Sequence, residues 1–135
     1  MPFINWDDSF DVKVRAMNAQ HQKLLMLINE LHEAMSAGKG RTIIAKVLDE
    51  LFNYTETHFS DEEKILEKNL YPELPIQRKE HAYFVNKISE LKQQNESGSL
   101  AVTFEASKFL KDWLLNHIMV EDKKYGVFLN GKGVN

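Results

Sequence analysis

In four long stretches of this chain, apolar residues return every three or four positions, and short polar breaks carrying Gly or Pro divide the stretches. That period belongs to amphipathic helices. The first stripe is Leu24, Leu25, Ile28, Leu31 and Met35; Asn18 is placed to cap its start, and Gly38-Lys39-Gly40 ends it. The second carries Ile44, Val47, Leu48, Leu51, Tyr54, Thr55, His58, Glu62 and Ile65, and ends before Tyr71-Pro72. The third begins near Pro75, a residue suited to a first helical turn, and runs through His81, Phe84, Val85, Ile88 and Leu91 to the break at Asn95-Glu96-Ser97-Gly98. The fourth carries Val102, Ala106, Phe109, Leu110, Trp113, Leu114, His117 and Ile118, and is expected to fray before Gly126. No strand-like alternation competes. Short connections favour antiparallel neighbours, so the pattern predicts an all-α, up-down-up-down four-helix bundle over about 18–125, preceded by an N-terminal arm over about 1–17.

At 135 residues the chain suits one domain with one core. A formal net charge of −3 leaves no basic surplus for binding phosphates, so nucleic acid is not an expected partner. With no cysteine, disulfides, thiolate-held zinc, iron–sulfur clusters and c-type haem attachment are excluded. The N-terminus lacks the features of a signal peptide, and no apolar run is long enough to span a bilayer. The expectation is a cytoplasmic protein with no membrane partner.

Chemistry enters through the heights of the polar residues inside the predicted bundle. His21 and His58 lie about equally far on either side of the first turn, and His81 and His117 about equally far on either side of the third. In an antiparallel bundle all four imidazoles then share one level near one end. Glu62 is one turn from His58 on the same face. Buried singly, each imidazole would need its own polar partner; a metal ion would serve them together. Imidazole and carboxylate without thiolate suit iron, manganese or zinc. His32 shares the face of His21 but lies about 16 Å along the helix, too far to join them.

The residues around these positions carry a resemblance. Gln20-His21 with Leu24-Leu25, the segment His58-Phe59-Ser60-Asp61-Glu62-Glu63, the run Lys79-Glu80-His81-Ala82-Tyr83-Phe84, and Trp113-Leu114-Leu115-Asn116-His117-Ile118 with Asp122 resemble the four helix motifs of bacterial hemerythrins, and Trp6 fits their arm. The resemblance implies two non-haem iron ions, bridged by Glu62, Asp122 and an oxygen species from solvent. It implies reversible dioxygen binding rather than enzymatic turnover, with Phe59, Trp113, Leu114, Ile118 and one of Leu24 or Leu25 walling the dioxygen pocket. One iron would take His21 and His58; the other would take His81, His117 and a third imidazole. Asp122 follows His117 by five residues, about 140° round an ideal helix, so both point inward only if the helix tightens or unwinds between them.

The chain departs from the pattern at one place. Gln77 stands one turn before His81, where the resemblance implies histidine. An amide there can bind through its oxygen, hold a water that binds instead, or leave the position empty. The alternative function is enzyme-like turnover of peroxide or nitric oxide at the altered site. Storage, delivery of dioxygen to an oxygen-using enzyme, and sensing would all use the same fold.

Overall fold

A computed structural model of the chain describes residues 3–97 and 104–135. Among them, a short 3₁₀ turn, Asp8–Phe10, precedes α1 (Arg15–Ser36), α2 (Arg41–Lys68), α3 (Leu74–Glu96) and α4 (Phe104–His117). A five-residue π-turn, Ile118–Asp122, then runs into α5 (Lys123–Gly131). α2 packs between α1 and α3, and α4 returns beside α1. The expected four-helix bundle is the observed one. Val102 lies outside the described residues.

The stripes read from the sequence face inward: Leu24, Ile28, Leu31, Leu48, Leu51, Phe84, Ile88 and Leu110 are completely buried. Phe109 is the exception at 42% exposed, and it sits at a rim with its ring 6.4 Å from that of Tyr83. No helix among the described residues is long and apolar enough to cross a membrane.

Two helix ends close by the same device. Gly38 (φ 66°) terminates α1, with Lys39 N–H bonded to Ala34 O and Gly38 N–H to Met35 O. Leu70 (φ 59°) does the same for α2, with Tyr71 N–H bonded to Leu66 O and Leu70 N–H to Glu67 O. Both are left-handed closures of the kind glycine favours, and the second is built on a leucine that is 81% exposed.

Two expectations are corrected. Asn18 does not cap α1, which starts at Arg15 behind Val14. Its side chain turns back instead: Oδ1 accepts from Val12 N–H at 3.0 Å and Nδ2 donates to Asp11 Oδ1 at 2.8 Å, tying the arm to the first turn. Nor does the last helix fray before Gly126, which lies buried inside α5. A Cβ on Gly126 would come within 2.1 Å of the backbone oxygen of Val12. The glycine is there for close approach of the arm rather than to stop a helix. Ile4, Phe10, Val12 and Val14 of that arm are buried in the common core.

Two substitutions test this reading by urea unfolding of the metal-free protein. Gly126→Ala drives a methyl into the backbone of Val12 and should cost about 1–3 kcal/mol. Leu70→Gly relieves a left-handed leucine without removing a core contact and should stabilise by about 1 kcal/mol.

Candidate metal centre

Every residue singled out for a metal role is buried at one level of the bundle. His21 comes from α1, His58 and Glu62 from α2, Gln77 and His81 from α3, His117 from the end of α4 and Asp122 from the end of the π-turn; none is more than 2% exposed. The π-turn is the unwinding that Asp122 demanded. Lys123 N–H bonds to Ile118 O, five residues back, and the wider turn brings residues five apart onto one face. His117 Nε2 is then 3.1 Å from Asp122 Oδ1.

The donor atoms form two groups that share Glu62. His21, His58 and Glu62 make one; His81, His117, Glu62 and Asp122 make the other. Glu62 Oε2 lies 3.1 Å from both His21 Nε2 and His58 Nε2, while Glu62 Oε1 lies 3.1 Å from His81 Nε2. Asp122 Oδ2 lies 3.1 Å from His21 Nε2, and its Oδ1 faces His117. Each carboxylate therefore turns one oxygen to each histidine pair. Neighbouring ligands of an octahedral ion with 2.0–2.1 Å bonds sit about 3.0 Å apart, which matches these separations.

The buried Nε2 atoms of His58, His81 and His117, together with Glu62 Oε1, make no hydrogen bond among the described residues. Unsatisfied buried polar atoms converging at ligand spacing are what a cation would satisfy. The outward ring nitrogens prepare them for it. His58 Nδ1 lies 2.6 Å from Gln20 Oε1 and His81 Nδ1 2.8 Å from Glu63 Oε2, while His117 Nδ1 lies 3.5 Å from Glu80 Oε2, an ion-pair distance without a hydrogen bond. Placing the proton on Nδ1 leaves the Nε2 lone pair aimed inward. Tyr125 O–H donates to Glu62 Oε2 at 2.5 Å.

Charge in the cluster is held by protons when no cation is bound. Burial pushes the imidazoles down, but for His21 the carboxylates of Asp122 and Glu62 outweigh it and raise the ring to about 9. For His117, burial is likewise outweighed by Asp122, Glu80 and Glu62, and the ring rises to about 10. Burial and the neighbouring Glu62 press Asp122 upward, yet His117 and His21 hold it down at about 2.

Two of the residues expected to wall a dioxygen pocket stack on cluster imidazoles. Phe59 stacks on His81 at 3.8 Å and Trp113 on His117 at 4.8 Å; Leu114 and Ile118 are buried in the core. Gln77 is fully buried; its Nε2 donates to Asp122 Oδ1 at 3.0 Å, and its Oε1 has no partner among the described residues. His32 belongs to neither donor group and stacks on Phe3 at 3.9 Å. Sequence reasoning gave no role to Gln20, Glu63, Glu80 or Tyr125. The first three stood inside the quoted motifs, and Tyr125 follows Asp122 by three residues, hence on its face.

A family model described as the hemerythrin HHE cation binding domain matches residues 12–129. A bacteriohemerythrin from Methylococcus capsulatus is 31% identical, the match covering 96% of this chain and 99% of that one. A myohemerythrin from Riftia pachyptila is 34% identical over 92% of this chain and 91% of its own. A solved wild-type hemerythrin superposes with a TM-score of 0.85 at 32% identity, covering 92% of this chain and 95% of that one.

A cation entering this cluster must displace protons from His21 and His117, because both rings are protonated at neutral pH when no ion is bound. Ferrous or cobaltous ion added to the metal-free protein at pH 7 should therefore release protons, and its affinity should climb as pH rises from 7 towards 9. Calorimetry in buffers of different ionisation enthalpy reads the release directly; uptake without proton release would contradict the placement of these rings.

Proposed function

The chain belongs to the hemerythrin family, and from that premise we propose that it binds dioxygen reversibly at a pair of non-haem iron ions and is not an enzyme. One observation carries the reading: Glu62 and Asp122 each present one oxygen to each of two histidine pairs. That is the donor set of two ions held side by side. Nitrogen and carboxylate donors without thiolate favour iron over a soft metal.

His21 and His58 would hold one ion, His81 and His117 the other, with Glu62 and Asp122 bridging. Bound there, an iron pair supplies the two electrons that dioxygen takes up and returns. The chain's own part is to fix and shield. Gln20 and Glu63 orient the imidazoles of His58 and His81 through their outer nitrogens. The Tyr125 hydroxyl holds Glu62 from the side of His21 and His58. Leu24, Leu25, Leu114 and Ile118 are buried, as is Phe59, and with the ring face of Trp113 they keep bulk water from the cluster. A dry wall of this kind favours return of the electrons over their loss to solvent. Storage, delivery to an oxygen-using enzyme and sensing all draw on this single step.

Gln77 replaces one nitrogen donor on the side of His81 and His117. Rotating its amide about the terminal bond exchanges Oε1 with Nε2 and sets an oxygen where the nitrogen now meets Asp122. In either orientation that ion has one strong donor fewer than the family pattern implies.

Protein purified in air from iron-supplemented cells should contain two irons per chain and show near-ultraviolet oxo-to-iron absorption. Material that held no transition metal and took none up would end the proposal. Gln77→His should slow iron loss to a chelator by about 10-fold or more, the lower end of what a single outer-shell partner contributes. It should also lengthen the life of the oxygenated protein in stopped-flow decay; an unchanged or shorter life would show that Gln77 costs the site nothing.

A further inference from the structure

The two sides of the cluster differ in what stands behind their imidazoles. Behind His81 is Glu63, hydrogen-bonded with Oε2 at 2.8 Å from Nδ1; behind His117 is Glu80, with Oε2 at 3.5 Å from Nδ1, close enough to act by its charge but not hydrogen-bonded. Behind His58 is the neutral amide of Gln20 at 2.6 Å, and His21 Nδ1 meets no acceptor among the described residues. Carboxylates thus back one histidine pair only.

Other groups modify this asymmetry without reversing it. Arg78 Nε lies 3.4 Å from Glu63 Oε1, but Arg78 is half exposed, so solvent weakens its pull. Asp61 reaches the other side only at one remove, its Oδ2 accepting from Gln20 Nε2 at 3.1 Å. Two neutral donors oppose each other on the bridging carboxylates: Tyr125 on Glu62 Oε2, facing His21 and His58, and Gln77 on Asp122 Oδ1, facing His117. What remains is a pair of anions on the side of His81 and His117.

A carboxylate accepting an imidazole N–H, as Glu63 does from His81, makes the opposite ring nitrogen a stronger donor and favours the higher charge on the ion it holds, while Glu80 adds its negative charge near His117 without a hydrogen bond. The loss of an imidazole at Gln77 is thereby offset by anions one shell further out. The geometry points to Glu63 and Glu80 as positioning residues that keep the ion at His81 and His117 ferric longest, so that the ion at His21 and His58 is reduced first. This rests on the iron-pair reading above. In the first step one electron from an external one-electron donor converts the ferric ion at His21 and His58 to ferrous, and the other stays ferric.

The test is a mediated redox titration of the iron-loaded full chain, followed by electron paramagnetic resonance and Mössbauer spectroscopy, with iron content measured on the same samples. Wild type should show two separate one-electron couples. Glu63→Gln should raise the lower couple by about 59 mV, a tenfold change in its oxidised-to-reduced ratio, and leave the upper couple in place. Glu80→Gln should move the same couple by less, in keeping with its longer contact. Gln20→Glu puts a carboxylate behind His58 and should lower the upper couple alone; this decides the matter even if a glutamate variant fails to fold. Couples that moved together, or an upper couple that followed Glu63, would overturn the inference. Two irons and reversible oxygen binding with such couples would leave the iron-pair reading standing, whereas a wild type without iron would remove both.

Discussion

Four imidazoles and two carboxylates stand in the core of an apolar bundle, and the cost of drying them is the constraint to which the rest of the structure answers. Each ionised group taken from water costs several kcal/mol even after relaxation. A simple ion-pair network repays this only when its hydrogen bonds are well made. Here several inward atoms make none. The donors are spaced for ions of small radius and not for each other. Protons on His21 and His117 can balance the charge of Glu62 and Asp122, but they cannot occupy the middle of either donor group. A cation can.

Holding such a cluster requires rigidity from more than its own helices. The π-turn inserts one residue to bring Asp122 beside His117, and the segment that follows must be firmly docked to hold it there. α5 supplies it: Tyr125 reaches back to Glu62, and Gly126 lets the arm lie against the helix at Val12. The arm is pinned in turn by Asn18 and by Asn29, whose Oδ1 accepts from Ile4 N–H at 2.7 Å. A segment with little periodicity of its own is thus part of the support for the metal centre.

The level of the histidines was legible because helix rise is nearly constant and short turns fix where each count begins. The inward stripes were legible for the same reason. The failures share a different cause. Asn18 has the chemistry of a cap, but its amide serves the arm, a tertiary partner that helical periodicity does not reveal. Gly126 has the look of a stop, yet it marks close approach between segments more than a hundred residues apart. The outer partners Glu63 and Glu80 read as ordinary surface carboxylates, being 25% and 34% exposed. Only the packing of α2, α3 and α4 shows that each faces a ring nitrogen.

Gln77 joins these threads. A buried glutamine amide offers one acceptor and two donors, and here one donor meets Asp122 while the acceptor meets nothing among the described residues. An unsatisfied buried carbonyl costs about 1–3 kcal/mol, and turning the amide over would bring that oxygen to where the nitrogen now meets Asp122. A neutral amide on Asp122, with carboxylates behind His81 and His117, also makes this half of the cluster chemically unlike the other. The two halves share a pair of carboxylates but not a common environment, and any ion that enters must choose between them.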